Sequence, residues 1–89
     1  MKTKFDTLWT RVQANTGQIF HTKTGRVCSY EAHETYVELQ NTSHNIPRSH
    51  FERAFEMMPT QRVADLNALR GYAYLWGIMM DPRIRQGLY

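Results

Sequence analysis

The sequence predicts a single small α+β domain, residues 1–89, in the order helix, three-stranded antiparallel sheet, then two or three helices (α-β-β-β-α-α-α). Three observations carry this reading. Apolar residues recur at helical spacing over residues 5–12, the period shifts to two between residues 18 and 40, and helical spacing with stop signals returns after residue 49. A chain of 89 residues, 42% of them hydrophobic, supplies one core and not two.

Phe5, Leu8, Trp9 and Val12 stand at i, i+3, i+4 and i+7 and share one helical face. Thr3 is placed to cap that helix, with Asp6 favoured in its first turn, and Asn15-Thr16-Gly17 supplies an exit. Strands follow over Gln18–Thr22 and Arg26–His33, joined by the turn Lys23-Thr24-Gly25, where glycine provides positive φ. Setting Thr22 opposite Arg26 pairs Phe20 with Cys28 and Gln18 with Tyr30. That register gathers Phe20, Cys28, Tyr30 and Ala32 on the core face and turns His21, Val27, Ser29, Glu31 and His33 outward. A third strand, Thr35–Gln40, sends Val37 and Leu39 inward and Tyr36, Glu38 and Gln40 outward.

Asn41–Pro47 reads as a polar turn. Ser49 and Glu52 then have the spacing of a capping box for a helix over Ser49–Met58, which Pro59 stops. Thr60 is read as the cap of a further helix burying Val63, Leu66 and Leu69, broken or bent at Gly71. Tyr72–Met80 is apolar on every side, as suits a central helix or one offering a second face to a partner. Asp81-Pro82 ends it and can restart a short turn, with aspartate as cap and proline at the first helical position.

Several function classes drop out. A lone cysteine, Cys28, has no internal disulfide partner, and Met1-Lys2-Thr3-Lys4 opens no apolar leader, so a cytoplasmic setting is expected. The longest apolar run is Tyr72–Met80, far short of the roughly 20 residues of a membrane-spanning helix, and no membrane partner is expected. His21, His33, His44 and His50 lack the paired spacing of zinc ligands, so no metal or cofactor is expected. Glycine-rich phosphate loops and nucleophile elbows are missing, while Glu31, Glu34 and Glu38 read as a solvated acidic rim. The expected class is a non-catalytic binding protein.

The net charge of +3 is unevenly spread. Residues 1–30 set Lys2, Lys4, Arg11, Lys23 and Arg26 against Asp6 alone. Residues 31–59 are acidic, and residues 60–89 carry Arg62, Arg70, Arg83 and Arg85 against Asp65 and Asp81. Two basic ends around an acidic middle favour an oriented interface with an anionic partner. Nucleic acid is the leading expectation, DNA before RNA. The basic hairpin tip (Lys23, Arg26) would enter a groove as β-ribbon readers do, Ser29 and Tyr36 would contribute from the sheet, and Lys2, Lys4, Arg83 and Arg85 would contact phosphates. Arg11, Arg53, Arg62 and Arg70 read as the wet faces of helices. The alternative is a protein partner, such as a component of a nucleic-acid-handling complex, bound through Tyr72, Tyr74, Trp76, Met79 and Met80. Either a monomer or a homodimer would serve.

Phe20, Thr22, Gly25 and Tyr30, then Ile46-Pro47-x-Ser49-x-Phe51-x-x-Ala54, then Gly71, Tyr74, Ile78, Asp81, Arg83 and Ile84 together resemble short bacterial and phage proteins of unassigned function. The resemblance spans residues 5–84 and implies a fold and no activity. Size and charge are also similar to those of accessory proteins of phages and mobile elements, by which analogy the alternative becomes an anti-defence inhibitor.

Overall fold

The computed structural model describes residues 3–40, 42 and 44–89. Helix α1 (Lys4–Ala14) opens on a reciprocal cap. Thr3 Oγ1 accepts the Asp6 N–H at 3.1 Å and the Asp6 carboxylate accepts the Thr3 N–H at 3.0 Å. Its Leu8, Trp9 and Val12 are buried.

Strands β1 (Phe20–His21) and β2 (Val27–Cys28) form the predicted hairpin, with Phe20 opposite Cys28. The expected single strand over Arg26–His33 divides at Ser29. Beyond it, β3 (Tyr30–Ala32) leaves β1 and pairs instead with β4 (Tyr36–Leu39), so two antiparallel sheets replace the single meander. In place of a Gln18–Tyr30 pair, the Gly17 N–H donates to the Tyr30 carbonyl at 2.8 Å.

A further strand, β5 (Asn45–Pro47), lies within the residues expected to turn. It pairs along β4, with Ile46 opposite Val37 and Pro47 opposite Tyr36. Proline is tolerated there because β5 is an edge strand that needs no donor on its open side. This pairing overturns the expected capping box. The backbone stays extended through Pro47 and the Arg48 N–H donates to Thr35 O at 2.8 Å, so helix α2 (Arg48–Phe55) starts one residue early, without a side-chain cap. Ser49 thus sits inside the first turn instead of at its cap.

The helix expected after Thr60 is a single 3-10 turn, Val63–Leu66. Bonds of i→i+3 type, such as Leu69 N–H to Leu66 O at 2.9 Å, bring Leu66 and Leu69 to one side, where both are buried. Thr60 Oγ1 accepts the Arg62 N–H at 3.1 Å and donates to Asp65 at 2.7 Å.

Helix α3 (Tyr72–Met79) is the central element, in contact with β1, the 3-10 turn and α4 (Pro82–Arg85). Leu75, Gly77, Ile78 and Met79 are buried. One continuous core joins Leu8, Trp9 and Val12 to Phe20, Tyr30, Val37, Ile46, Phe51, Leu66, Leu75 and Ile84. Tyr30 is fully buried, and its hydroxyl donates to the Val12 carbonyl at 2.6 Å. No helix among the described residues is long and apolar enough to cross a membrane.

Asp81 caps α4 as its dipeptide predicts, accepting the Arg83 N–H at 2.9 Å, and its carboxylate also takes Arg83 Nε at 2.9 Å and Nη2 at 3.0 Å. The Arg83 side-chain hydrogen bond holds the Asp81 carboxyl below its ordinary range. A carboxyl depressed by folding stabilises the native state above its unfolded pKa, and that stabilisation fades as pH falls through the folded value. Asp81→Asn should therefore lower stability by about 1 kcal/mol at neutral pH. The gap between variant and parent, measured by urea unfolding, should close in acid.

Candidate nucleic-acid interface

The β1–β2 hairpin does not project. Its turn lies back on the molecule, with the Lys23 ammonium donating to the Gln61 carbonyl and standing 5.9 Å from the centre of the Trp76 ring. Arg26 Nη1 donates to the Tyr74 hydroxyl at 3.3 Å. A β-ribbon reader stands free to enter a duplex groove, whereas this tip rests against the segment leading into the 3-10 turn and against α3. It also joins residues that the sequence assigned to two different interfaces. Lys23 meets Trp76 and Arg26 meets Tyr74, two positions apart on α3.

Hydrogen bonds to neighbouring segments position these side chains. The Trp76 indole N–H donates to the Thr60 carbonyl at 2.9 Å, which orients the half-buried ring. Thr22 is held inside the hairpin, its Oγ1 accepting the Arg26 N–H at 3.1 Å. Lys23 and Arg26 remain exposed and keep donors beyond those they use, since an ammonium has three and a guanidinium five. Beside them, His44, Gly71, Tyr72, Ala73 and Tyr74 line a shallow depression of about 300 Å³. Tyr72 is exposed, and Trp76, four residues on, lies on the same side of the helix.

Other expected contacts are placed elsewhere. Arg83 is exposed but engaged: besides Asp81, it donates through Nη2 to Ile19 O at 2.6 Å, and its guanidinium stacks 4.1 Å from the Phe20 ring centre. Arg85 donates to the Tyr89 main-chain oxygen through Nε at 3.0 Å and Nη2 at 2.8 Å. Lys4 is exposed on α1, which packs on α2, β3 and α4, and Lys2 lies outside the described residues.

Ser29 is half-buried at the point where the strand changes sheets, and its carbonyl accepts the Gln40 N–H at 3.0 Å. Tyr36 is half-buried and stacks on His33, 4.5 Å between ring centres. It shares the outer sheet face with Glu31 and Glu38, which repels phosphate. Of the aromatic and methionine set, Met79 is fully buried and can meet no partner, and Met80 is half-buried against Arg85.

The register places Glu31 opposite Glu38, and His33 Nε2 lies 3.4 Å from Glu38 Oε1. Among the described residues, these three bring one ligand atom each within 4.8 Å of one another. The sequence reading saw a rim there and missed the convergence, whose only signal is the register itself. Two exposed carboxylates and a half-buried imidazole fall short of the four ligands of a closed zinc site. Cys28 is buried, and burial pushes its thiol pKa up, which disfavours the thiolate a nucleophile requires. His50 lies on α2 and accepts the Arg70 N–H at 3.1 Å. Burial, and then Arg53 and Arg70, hold its pKa down.

Gln61, Thr60, Gly71 and His44 belong to this surface, yet sequence reasoning did not assign them to it. Lys23 meets Gln61 across 38 positions, a separation at which no local pattern is informative. No protein family, curated protein or solved structure matches this chain, so what the surface binds is argued from its own chemistry.

Proposed function

We propose that this protein binds nucleic acid without catalysis, through the surface formed by Lys23 and Arg26 together with Tyr74 and Trp76. One observation carries the reading: two exposed cations lie directly against two aromatic side chains, at 5.9 Å from the Trp76 ring centre and 3.3 Å from the Tyr74 hydroxyl. Cations attract the phosphate backbone, and aromatic faces receive bases or sugars; nucleic-acid sites combine the two. The acidic outer face of β3 and β4 adds orientation, since a polyanion is repelled from Glu31 and Glu38 and turned toward the hairpin.

Titration of a short fluorescent oligonucleotide across salt concentrations, followed by anisotropy, tests it. Affinity should fall linearly on a logarithmic salt scale. The double variant Lys23→Gln/Arg26→Gln should bind about ten-fold more weakly or worse, with the salt slope reduced by about 1 for each contact removed. Undetectable binding at low salt, or a double variant that binds as the parent does, would overturn the proposal.

A further inference from the structure

We infer that the depression beside His44 seats an unpaired nucleobase, so that the preferred ligand of this surface is a single strand. The inference rests on the nucleic-acid reading above and adds the form of the ligand. The depression holds about 300 Å³, at the small end of ligand sites and suited to one flat ring system. Two tyrosines, Tyr72 and Tyr74, line it together with His44. Tyr72 is one of only four large apolar side chains among the described residues that stay exposed, at 40%.

The floor is pre-formed. Gly71 takes φ 60°, and a Cβ there would meet Ile46 Cδ1 at 3.3 Å and Leu39 Cδ1 at 3.5 Å. Glycine therefore lets the start of α3 rest directly on β4 and β5, so the wall carrying Tyr72 and Tyr74 is backed by the core. Tyr74 is also the link to charge, because its hydroxyl accepts from Arg26. A base in the seat would have its own phosphate near that guanidinium. Trp76 lies about 6 Å further along the helix axis than Tyr72, offering a second ring for the adjoining base. Lys23 stands beside it.

A duplex cannot use this arrangement. Its base faces are covered by stacked neighbours and only edges show in the grooves, whereas an unpaired strand offers a π-face at every base. The chemistry of the seat is common to DNA and RNA single strands, which differ by the 2′-hydroxyl.

The test compares fluorescent oligodeoxyuridine, oligouridine and the duplex of the oligodeoxyuridine with its complement, at one low salt concentration. The parent should bind single strands about ten-fold more tightly than duplex, with the tighter of the two homopolymers naming the sugar. Tyr72→Ala should lose about ten-fold on single strands and leave duplex affinity unchanged, while Tyr72→Phe, which keeps the ring, should stay within about two-fold of the parent. A loss on single strands and duplex alike, with a lowered melting temperature, would mark Tyr72 as merely structural and overturn the inference. Equal affinity for duplex and single strands, with Tyr72→Ala neutral, would also overturn it, yet would leave the nucleic-acid reading intact so long as Lys23→Gln/Arg26→Gln still weakens binding. Failure of every probe to bind would remove both.

Discussion

Gly77→Ala is expected to destabilise the protein by about 2–3 kcal/mol, although alanine is the better helix former. A Cβ at Gly77 would lie 2.4 Å from the His21 carbonyl oxygen, 3.0 Å from His21 C and 3.2 Å from Thr22 Cα. All three are backbone atoms of the β1 hairpin, so no side chain can rotate out of the way. The methyl forces α3 off β1, and α3 is also packed against the 3-10 turn and α4, which resist the shift. Helix propensity returns about 1 kcal/mol to the variant, too little to offset the overlap. Denaturant unfolding reads the net effect as a lowered midpoint. The same displacement moves Lys23 and Arg26 relative to Tyr74 and Trp76, so oligonucleotide affinity should fall as well. A variant as stable as the parent would show that α3 and β1 do not approach as described.

Phe20→Ala is expected to cost about 3–5 kcal/mol, a large fraction of the total stability of a domain this small. Phe20 is completely buried, opposite Cys28, with its ring centre 5.4 Å from that of Tyr30 and 4.1 Å from the Arg83 guanidinium. Truncation leaves a cavity between two sheets and strips the stacking partner from Arg83, whose bond to Ile19 O ties α4 to the segment leading into β1. Ile19→Ala, one residue away, supplies the contrast. Its side chain is 50% exposed and should change stability by no more than about 0.5 kcal/mol. Thermal or urea unfolding of the two variants side by side checks both the burial and the strand alternation.

Much of the framework is legible in the order of residues. Thr3 and Asp6 cap α1, Gly25 closes a hairpin with Phe20 opposite Cys28, and Asp81-Pro82 stops one helix and starts the next. Each depends on residues within a few positions of one another, where hydrogen-bond geometry and φ preferences decide. Where a distant partner competes, local signals lose. Ser49 and Glu52 have capping-box spacing, yet β4 recruits Asn45–Pro47 as a third strand and moves the helix start to Arg48. Ser29 marks no break in the sequence pattern, yet the strand changes sheets there because β4 offers Tyr30 and Ala32 a partner that β1 does not.

The amino-acid order by itself determined the α+β class, the faces of the first helix and the hairpin, and the excess of cations at both ends of the chain. Only the tertiary structure decided what each of those cations meets. Arg83 and Arg85 meet ring faces and main-chain oxygens around α4, while Lys23 and Arg26 come to rest on aromatic side chains of α3. The Arg26–Tyr74 contact spans 48 positions. Periodicity and capping act over one or two helical turns, whereas such a contact depends on how α3 settles against β1, and Gly77 is what permits that approach.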